Sequence, residues 1–431
     1  MALTRPVRHA GRPPAPRTTP VEPAQGAARD AARLEALLGD PRNPRNPYGR
    51  SALWAAGHDG LPAPPAGLPG TGDVRPPADR LARALRPLFR RDLQLAHAWC
   101  IGPMLSAPEP HPAAALLGPA ALLAAAGGVL CGVTRIVDAL SRYEAAARQW
   151  RPVLASVFAD LLACESLTAV ALRSCSRETA PERGDEEPLA AVVGYVVPQL
   201  AGELLGDLEL VLNECGFGAD TVERRTLARI LRDRAAARSD WTAVSAAQAR
   251  IVRELDAAGG VQPGDGAGLA PLFRITGPLP AAVPDGVGAQ AVAATLAGAT
   301  GRLAGAGEPG TEALARVGRR LVAEERALRA ACATTARHDP GDPAARALAD
   351  RQALLVLAAA TLGVREAAAE ARLLFLGSTD WALLALGRIT ERLGRTLPDR
   401  TPDPQPGVWD ELARRAADGV DCDLYATRLP W

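Results

Sequence analysis

The choice of apolar residues constrains the fold of this chain more than any other feature. Apolar residues make up 48% of the 431 residues, yet aromatic residues contribute only 4%, and Ala and Leu dominate the remainder. Ala and Leu are the strongest helix formers, whereas strands favour β-branched and aromatic side chains. The sequence therefore predicts an all-α protein, long enough for two or three domains around a large core.

The charged residues exclude several classes of function. The formal net charge is +1, so no global field draws the chain to nucleic acid or to anionic lipid. Every cationic residue is Arg, which excludes a Schiff-base lysine and a P-loop lysine. The five His are scattered and the seven Cys form no C-x-x-C pair, so we expect no metal site. Free, buried thiols in a reducing compartment are expected instead.

Two segments bear on localisation. Residues 1–27 are rich in Pro and Arg and have no apolar core, which predicts a disordered tail and no signal peptide. Residues 113–134 carry no charge and are long enough to span a membrane. They are built on Ala and Gly and contain Pro119, however, whereas strong spans use Leu, Ile, Phe and Val. A buried core helix is therefore favoured, in a cytoplasmic protein without a membrane partner.

Helical periodicity divides the rest of the chain into blocks. An N-terminal helical segment covers 28–111 and a second helical domain covers 112–256, in which apolar residues recur at i, i+3, i+4 and i+7. Residues 257–311 are rich in Gly, Ala and Pro and indicate a linker. A third helical domain covers 312–431. The longest predicted helices cover 192–212 (interrupted at Pro198), 222–234, 241–255, 311–335, 343–362, 364–376, 380–393 and 409–418.

Four short motifs follow one another along the second block. They are Arg148-Gln149-Trp150-Arg151-Pro152 after a long helix, the loop Asn213-Glu214-Cys215-Gly216-Phe217-Gly218, the pair Arg232-Asp233, and Gln248 on the closing helix. In this order and spacing the motifs resemble the C-terminal helical domain of acyl-CoA dehydrogenases. Residues 348–355 and 423–425 are similar to the additional C-terminal region of long actinobacterial members, and residues 34–47 are similar to their opening.

The resemblance omits one domain of the family. Acyl-CoA dehydrogenases carry a β-domain between their two helical domains, where it packs on the flavin. Here only seven residues separate Leu105 from Ala113, which is too few for a set of strands. The expected architecture is therefore a helical bundle that resembles the family's C-terminal domain, followed by an additional helical region.

The resemblance implies a reaction and a cofactor. Family members remove an α-proton from an acyl-CoA or acyl-carrier-protein thioester with a carboxylate and pass a hydride to FAD. Arg148, with Gln149 and Trp150, matches the arginine motif that meets the FAD pyrophosphate across a subunit interface. The alternative for Arg148 is a cation that interacts with a helix end.

The glycine loop has two interpretations as well. By resemblance, Asn213, Gly216 and Gly218 lie where the backbone approaches the FAD of a neighbouring subunit. Alternatively, the glycines end the preceding helix in a turn that needs positive φ.

Two carboxylates are candidates for the catalytic base. Asp240 lies between the Arg-Asp pair and the closing helix, where most family members place the base, but it also suits the N-cap of the helix from Trp241. Glu165 lies on an apolar helical stripe, where burial would raise its pKa unless it pairs with an arginine. Some family members carry the base on the earlier helix instead. The matching position here is Ala121, which cannot act as a base.

Two functions remain open from the sequence. One is an FAD-dependent dehydrogenase of acyl thioesters. The other is a catalytically inactive homologue that acts as an assembly subunit, either in a homo-oligomer or with a full-length homologue.

Overall fold

The computed structural model describes residues 25–57, 60–70, 76–107, 111, 113–175, 188–255, 267–278, 287–305, 307–334, 339–398 and 401–429. Within these ranges the structure is helical, and its β content is one isolated antiparallel bridge between Val420 and Arg428. The predicted all-α class is confirmed. Most of the tail predicted over 1–27 lies outside the described residues, but residues 25–27 belong to the first helix.

The N-terminal helices are short. They are α1 (Gln25–Leu38), α2 (Arg50–Ala56), α3 (Ala78–Arg91), α4 (Leu93–Ala96) and α5 (Gly102–Ser106), with a π-helical turn at His97–Ile101. The next helices are longer: α6 (Ala114–Leu140), α7 (Arg151–Ser174), α8 (Pro188–Glu214), α9 (Val222–Arg232) and α10 (Trp241–Leu255). The C-terminal set is α11 (Ala270–Phe273), α12 (Ala289–Leu303), α13 (Pro309–Ala333), α14 (Pro343–Glu370), α15 (Asp380–Arg392) and α16 (Gln405–Asp418).

Helix α7 forms the centre of the molecule. Every residue from Leu154 to Ser174 is buried, and α6, α8, α14, α15 and α16 all pack against it. A helix that is covered on all sides belongs to the core of a large protein. Helices of the second and third predicted blocks therefore share one hydrophobic core.

Charged residues on α7 hold the surrounding helices by ion pairs. Asp160 accepts hydrogen bonds from Arg388 at 2.7 Å and from Arg392 at 2.7 Å, both on α15. Arg173 donates to Asp79 on α3 at 3.2 Å. Because a buried charge without a partner is strongly destabilising, these pairs fix which faces of the neighbouring helices meet α7.

The C-terminal segment 419–429 folds back onto α3 and α7. Its carboxylates Asp421 and Asp423 lie against Arg86 of α3, and Arg86 also donates to Glu165 of α7 at 2.7 Å. Arg415 at the end of α16 donates to the Asp423 carbonyl at 2.5 Å. We refer to Arg86, Glu165, Asp421 and Asp423 as the buried ion cluster.

The linker predicted over 257–311 contains a packed helix. Helix α12 contacts α13 and α14 and buries Val292, Leu296, Ala299 and Leu303 on one face. Ala is a strong helix former, and the apolar residues of this stretch recur along one face of a helix. This pattern produces a helix in spite of the Gly-rich composition. The linker interpretation is therefore wrong for Ala289–Leu303, while 256–266 and 279–286 lie outside the described residues.

Two predicted helix breaks are absent. Helix α8 is continuous through Pro198, whose carbonyl accepts a hydrogen bond from Arg234 at 3.2 Å. Helix α14 is continuous through Gly363, where a Cβ atom would lie 2.6 Å from the ring of Phe273. This glycine permits close packing and does not end the helix. The chain leaves α14 near Arg372, which has a left-handed φ of 56°, so the helix predicted over 364–376 is not separate.

Within the part of the chain that the structure describes, four helical segments are long and apolar enough to cross a membrane by length and composition. They are Ala114–Leu140, Ala145–Ser174, Leu189–Glu214 and Pro343–Glu370. Between 67% and 94% of the apolar window in each is buried inside the fold. Because most of this apolar surface is buried, we favour packing between helices as its role.

Candidate functional site: an arginine-lined cleft

A cavity of about 360 Å³ lies between α3, α6 and the residues around the start of α9. Five arginines line it: Arg42, Arg50, Arg90, Arg91 and Arg135. A volume of this size falls within the usual range of small-molecule sites.

The positive charge in this cavity exceeds the negative charge. The carboxylates in its described lining are Glu35 and Glu223. Burial lowers the pKa of Arg50, and the nearby Arg42, Arg90 and Arg135 lower it further. The cations therefore repel one another, and a bound anion would relieve this repulsion.

The pKa of Arg91, at the inner wall of the cavity, is also lowered. Its guanidinium donates to the carbonyls of Gly39 at 2.7 Å and Tyr48 at 3.0 Å, which holds the α1–α2 connection against α3. Burial lowers its pKa to about 10, although Glu35 raises it. Arg91 still carries its charge at neutral pH and contributes to the field in the cavity.

A second cavity of about 270 Å³ adjoins the first. Arg42, Arg90 and Arg135 line both cavities, and the second adds Arg415 and Asp40. The three shared arginines form a wall that can be reached from two sides. We call the two cavities together the arginine cleft.

Apolar residues of α6 line the larger cavity beside Arg135 of the same helix. They are Val129, Ile136 and Leu140, together with two glycines that leave room for a ligand. A Cβ atom at Gly128 would lie 3.6 Å from Nε of Arg90, and one at Gly132 would lie 3.2 Å from Glu223. The arginine cleft thus combines cations with apolar surface.

Arg90 connects the cleft to the buried ion cluster. Its Nε lies 3.6 Å from Asp421 Oδ1, too long for a hydrogen bond, and this nitrogen has no hydrogen-bond partner. Burial lowers the pKa of Arg90, but Asp421, Cys131 and Glu35 together outweigh burial and raise it. Because Asp421 also contacts Arg86, one carboxylate serves both Arg86 and Arg90.

Glu165, a predicted catalytic base, lies inside the buried ion cluster. Only 8% of the residue is exposed, and it is paired with Arg86, as the alternative interpretation predicts. Burial raises its pKa to about 7 because it outweighs the lowering effect of Arg86. It lines a separate small cavity of about 30 Å³, with Tyr425 and Thr168, and does not line the arginine cleft.

Asp240, the other predicted base, caps α10. Its Oδ1 accepts hydrogen bonds from the backbone N–H groups of Thr242 at 2.9 Å and Ala243 at 3.1 Å. These are the N-cap contacts that the alternative interpretation predicts. Asp240 lines neither cavity of the arginine cleft.

The predicted flavin residues around Arg148 lie on an exposed turn. Arg148, Gln149 and Trp150 end the 3-10 helix Ala145–Trp150, and Nε of Arg148 donates to the Ser141 carbonyl at 3.2 Å. Ser141 is the C-terminal cap of α6, so this contact agrees with the helix-end alternative.

Asn213, Gly216 and Gly218 close α8. Gly216 has a φ of 75°, its N–H donates to the Asn213 carbonyl at 3.0 Å, and the Phe217 N–H donates to Leu212 at 3.0 Å. This pair of hydrogen bonds is the usual glycine-terminated helix end. A Cβ atom would meet nothing at Gly216 or Gly218, so crowding within the chain does not require these glycines.

Within one chain, the predicted flavin residues lie at two helix ends and outside the three cavities described above. Arg148 bonds its own chain at a helix end. A site shared with a neighbouring subunit stays a prediction. Among the described residues, no group of three or more His, Cys, Asp or Glu side chains is placed to hold a metal ion.

Sequence reasoning missed the arginine cleft. Its arginines come from four separate parts of the chain, and no short motif joins them. The one local signal is α3, where Arg86, Arg90 and Arg91 follow one another within two turns of a helix. Comparison with protein-family models, with curated proteins and with solved structures finds no match for this chain.

Proposed function

We propose that this chain binds an acyl thioester of coenzyme A or of an acyl carrier protein in the arginine cleft, without oxidising it. The observation that carries the proposal is the pairing of a surplus of arginines with the apolar residues of α6. Both carriers end in a phosphopantetheine arm, which joins phosphate anions to a largely apolar acyl chain.

The charges of the cleft suit the phosphates of this arm. Arg recognises phosphate oxygens with paired N–H donors, and its charge is retained in a partly buried site. Arg42 and Arg135 are exposed at the shared wall, where a phosphate can arrive from solvent. The acyl chain would then lie along Val129 and Ile136.

The positions of the two predicted bases favour binding without dehydrogenation. A general base must lie within hydrogen-bond reach of the proton that it removes. Asp240 holds the start of α10, and Glu165 is paired with Arg86 behind the cleft. We therefore favour a catalytically inactive homologue of acyl-CoA dehydrogenases that serves as a cytoplasmic assembly or partner subunit.

Exposed aromatic residues support the assembly role. Tyr143 is 89% exposed and Trp241 is 83% exposed. Aromatic side chains are enriched at protein interfaces. Tyr143 precedes the turn that carries Arg148, so the motif that in the family meets a neighbouring flavin lies beside an available contact surface.

Flavin-dependent dehydrogenation is the second candidate. A pKa of about 7 at Glu165 is suited to general-base catalysis at neutral pH. Purified protein that takes up added FAD and gains visible flavin absorbance would support this candidate, whereas a colourless protein after dialysis supports the binding function.

Calorimetric titration tests the binding proposal. We expect octanoyl-CoA to bind more tightly than free CoA or free octanoate, because only the thioester engages both the arginines and the apolar residues. Arg135→Gln should weaken octanoyl-CoA binding by about tenfold through the loss of a charged phosphate contact. Arg274→Gln is the matched control, because Arg274 is an exposed surface cation paired with Glu370 on α14. Equal affinities for the wild type and Arg135→Gln would contradict the proposal.

A further inference from the structure

Two cysteines from distant parts of the chain meet beside the arginine cleft. Cys131 of α6 and Cys422 of the C-terminal segment place their Sγ atoms 2.8 Å apart. Cys131 is 2% exposed and Cys422 is fully buried. The pair lies behind the second cavity, which Cys131 lines and Cys422 does not. Only one of the two sulfurs therefore faces a space that a small molecule can enter.

The surrounding charges distinguish the two thiols. Hydrogen bonding from Cys422 lowers the pKa of Cys131, and Arg90 and Arg135 lower it further, while burial and Asp421 oppose this. Burial raises the pKa of Cys422, although Arg415 of α16 lowers it. Of the two thiols, Cys131 is therefore the one whose ionisation the surroundings favour.

Three other cysteines differ from Cys131 in this respect. Burial raises the pKa of Cys100 to about 12, and it also raises the pKa of Cys164 and Cys215. A thiol that stays protonated is a weak nucleophile.

We infer that Cys131 and Cys422 form a redox site at which a small hydroperoxide entering the second cavity converts the two thiols to a disulfide. The Cys131 thiolate attacks the outer oxygen of the peroxide and breaks the O–O bond, forming a sulfenic acid; once protonated, the leaving oxygen departs as water from hydrogen peroxide or as an alcohol from an organic hydroperoxide. The Cys422 thiol then attacks the sulfenic sulfur, forming the S–S bond and releasing water. The two thiols lose two electrons and two protons, which the peroxide gains.

The disulfide would fasten the C-terminal segment to α6. The two cysteines are 291 positions apart, so the crosslink closes a very long loop and restricts the unfolded chain. The segment also carries Asp421, which contacts Arg86 and lies beside Arg90. Oxidation would therefore hold one wall of the arginine cleft in place. This inference does not depend on what the cleft binds.

Peptide mapping of the full-length protein tests the site. After brief treatment with hydrogen peroxide under native conditions, we expect the count of free thiols to fall from seven to five, with a crosslinked peptide pair containing Cys131 and Cys422. The midpoint of thermal unfolding should rise by about 5 °C relative to the reduced protein.

Single substitutions separate the roles of the two thiols. Cys422→Ser should leave a Cys131 sulfenic acid that dimedone traps, whereas Cys131→Ser should give neither adduct nor crosslink. Cys100→Ser is the matched control, a buried cysteine outside the pair that should leave the crosslink unchanged. Circular dichroism checks that each variant is folded. Retention of all seven thiols, a crosslink between other cysteines, or a dimedone adduct at Cys215 instead of Cys131 would overturn the inference.

Discussion

Glu165 shows how this protein keeps charges in its interior. It lies on the most deeply buried helix, beside Arg86 and close to two further carboxylates, Asp421 and Asp423. Arg86 and Arg90 set two positive charges against these three carboxylates, and burial raises the pKa of Glu165. The same cluster tethers the C-terminal segment, so its protonation is coupled to the stability of the whole fold.

Replacing Glu165 should change how stability depends on pH. Its pKa in the folded protein is about 7, above the ordinary value of 4.5, so the folded state binds this proton more tightly than the unfolded chain. The stabilisation is fully present below the unfolded pKa and is lost as the pH rises through the folded pKa. Glu165→Gln has no such proton to lose. Between about pH 5 and pH 8 the unfolding free energy of wild type should fall by roughly 2–3 kcal/mol relative to that of the variant.

Denaturant unfolding of both proteins at the two pH values measures this difference. Asp240→Asn serves as a carboxylate-to-amide control outside the ion cluster. A difference between wild type and Glu165→Gln that does not change with pH would show that Glu165 is ionised throughout this range.

Asp240 should behave as a cap residue. Asp240→Ala removes the acceptor for two backbone N–H groups and should cost about 1 kcal/mol of unfolding free energy. Asp240→Asn keeps a capping oxygen and should change stability by only a few tenths of a kcal/mol. Denaturant melts of the two variants test this, and equal losses of stability would argue against the capping role.

At the scale of helices, periodicity and caps predicted much of the fold. Helix α10 begins and ends where the sequence places it, and the boundaries of α15 agree within a residue. Composition predicted helix boundaries less well. Helix α12 lies in a Gly-rich stretch that was predicted to be a linker, and α14 runs through Gly363, where a break was predicted. A glycine inside a helix can mark a close contact with a neighbour, and the partner is invisible in the local sequence.

Two glycines within helices should respond oppositely to alanine. At Gly118 of α6 a Cβ atom would lie 2.4 Å from the Ala237 carbonyl oxygen, a backbone atom that cannot move aside easily. Gly118→Ala should therefore lower the unfolding free energy by about 1–3 kcal/mol. At Gly206 of α8 a Cβ atom would meet nothing, and Gly206→Ala should raise it by about 0.4–1 kcal/mol. Chemical denaturation compares the two, and equal destabilisation would contradict the close approach of α6 to the Asp233–Ala237 turn.

At the scale of the whole molecule, the arginine cleft could not be read from the sequence. Arg42 follows α1, Arg90 ends α3 and Arg135 lies on α6, so only tertiary packing makes them neighbours. Two of the motifs that suggested flavin chemistry, the Arg148 turn and the Gly216 loop, lie at helix ends, where capping explains their geometry. Short motifs of Gly, Asp and Arg are common at such ends, whereas a charged cavity needs several elements together.

Photo-crosslinking locates the site at which an acyl thioester binds. An acyl-CoA whose chain carries a diazirine is bound to the full-length protein, irradiated, and mapped by mass spectrometry. The account predicts labelling of α6 between Ala125 and Leu140, suppressed by excess octanoyl-CoA and reduced in Arg135→Gln. Labelling around Glu165 and Tyr425, or labelling that octanoyl-CoA does not suppress, would contradict it.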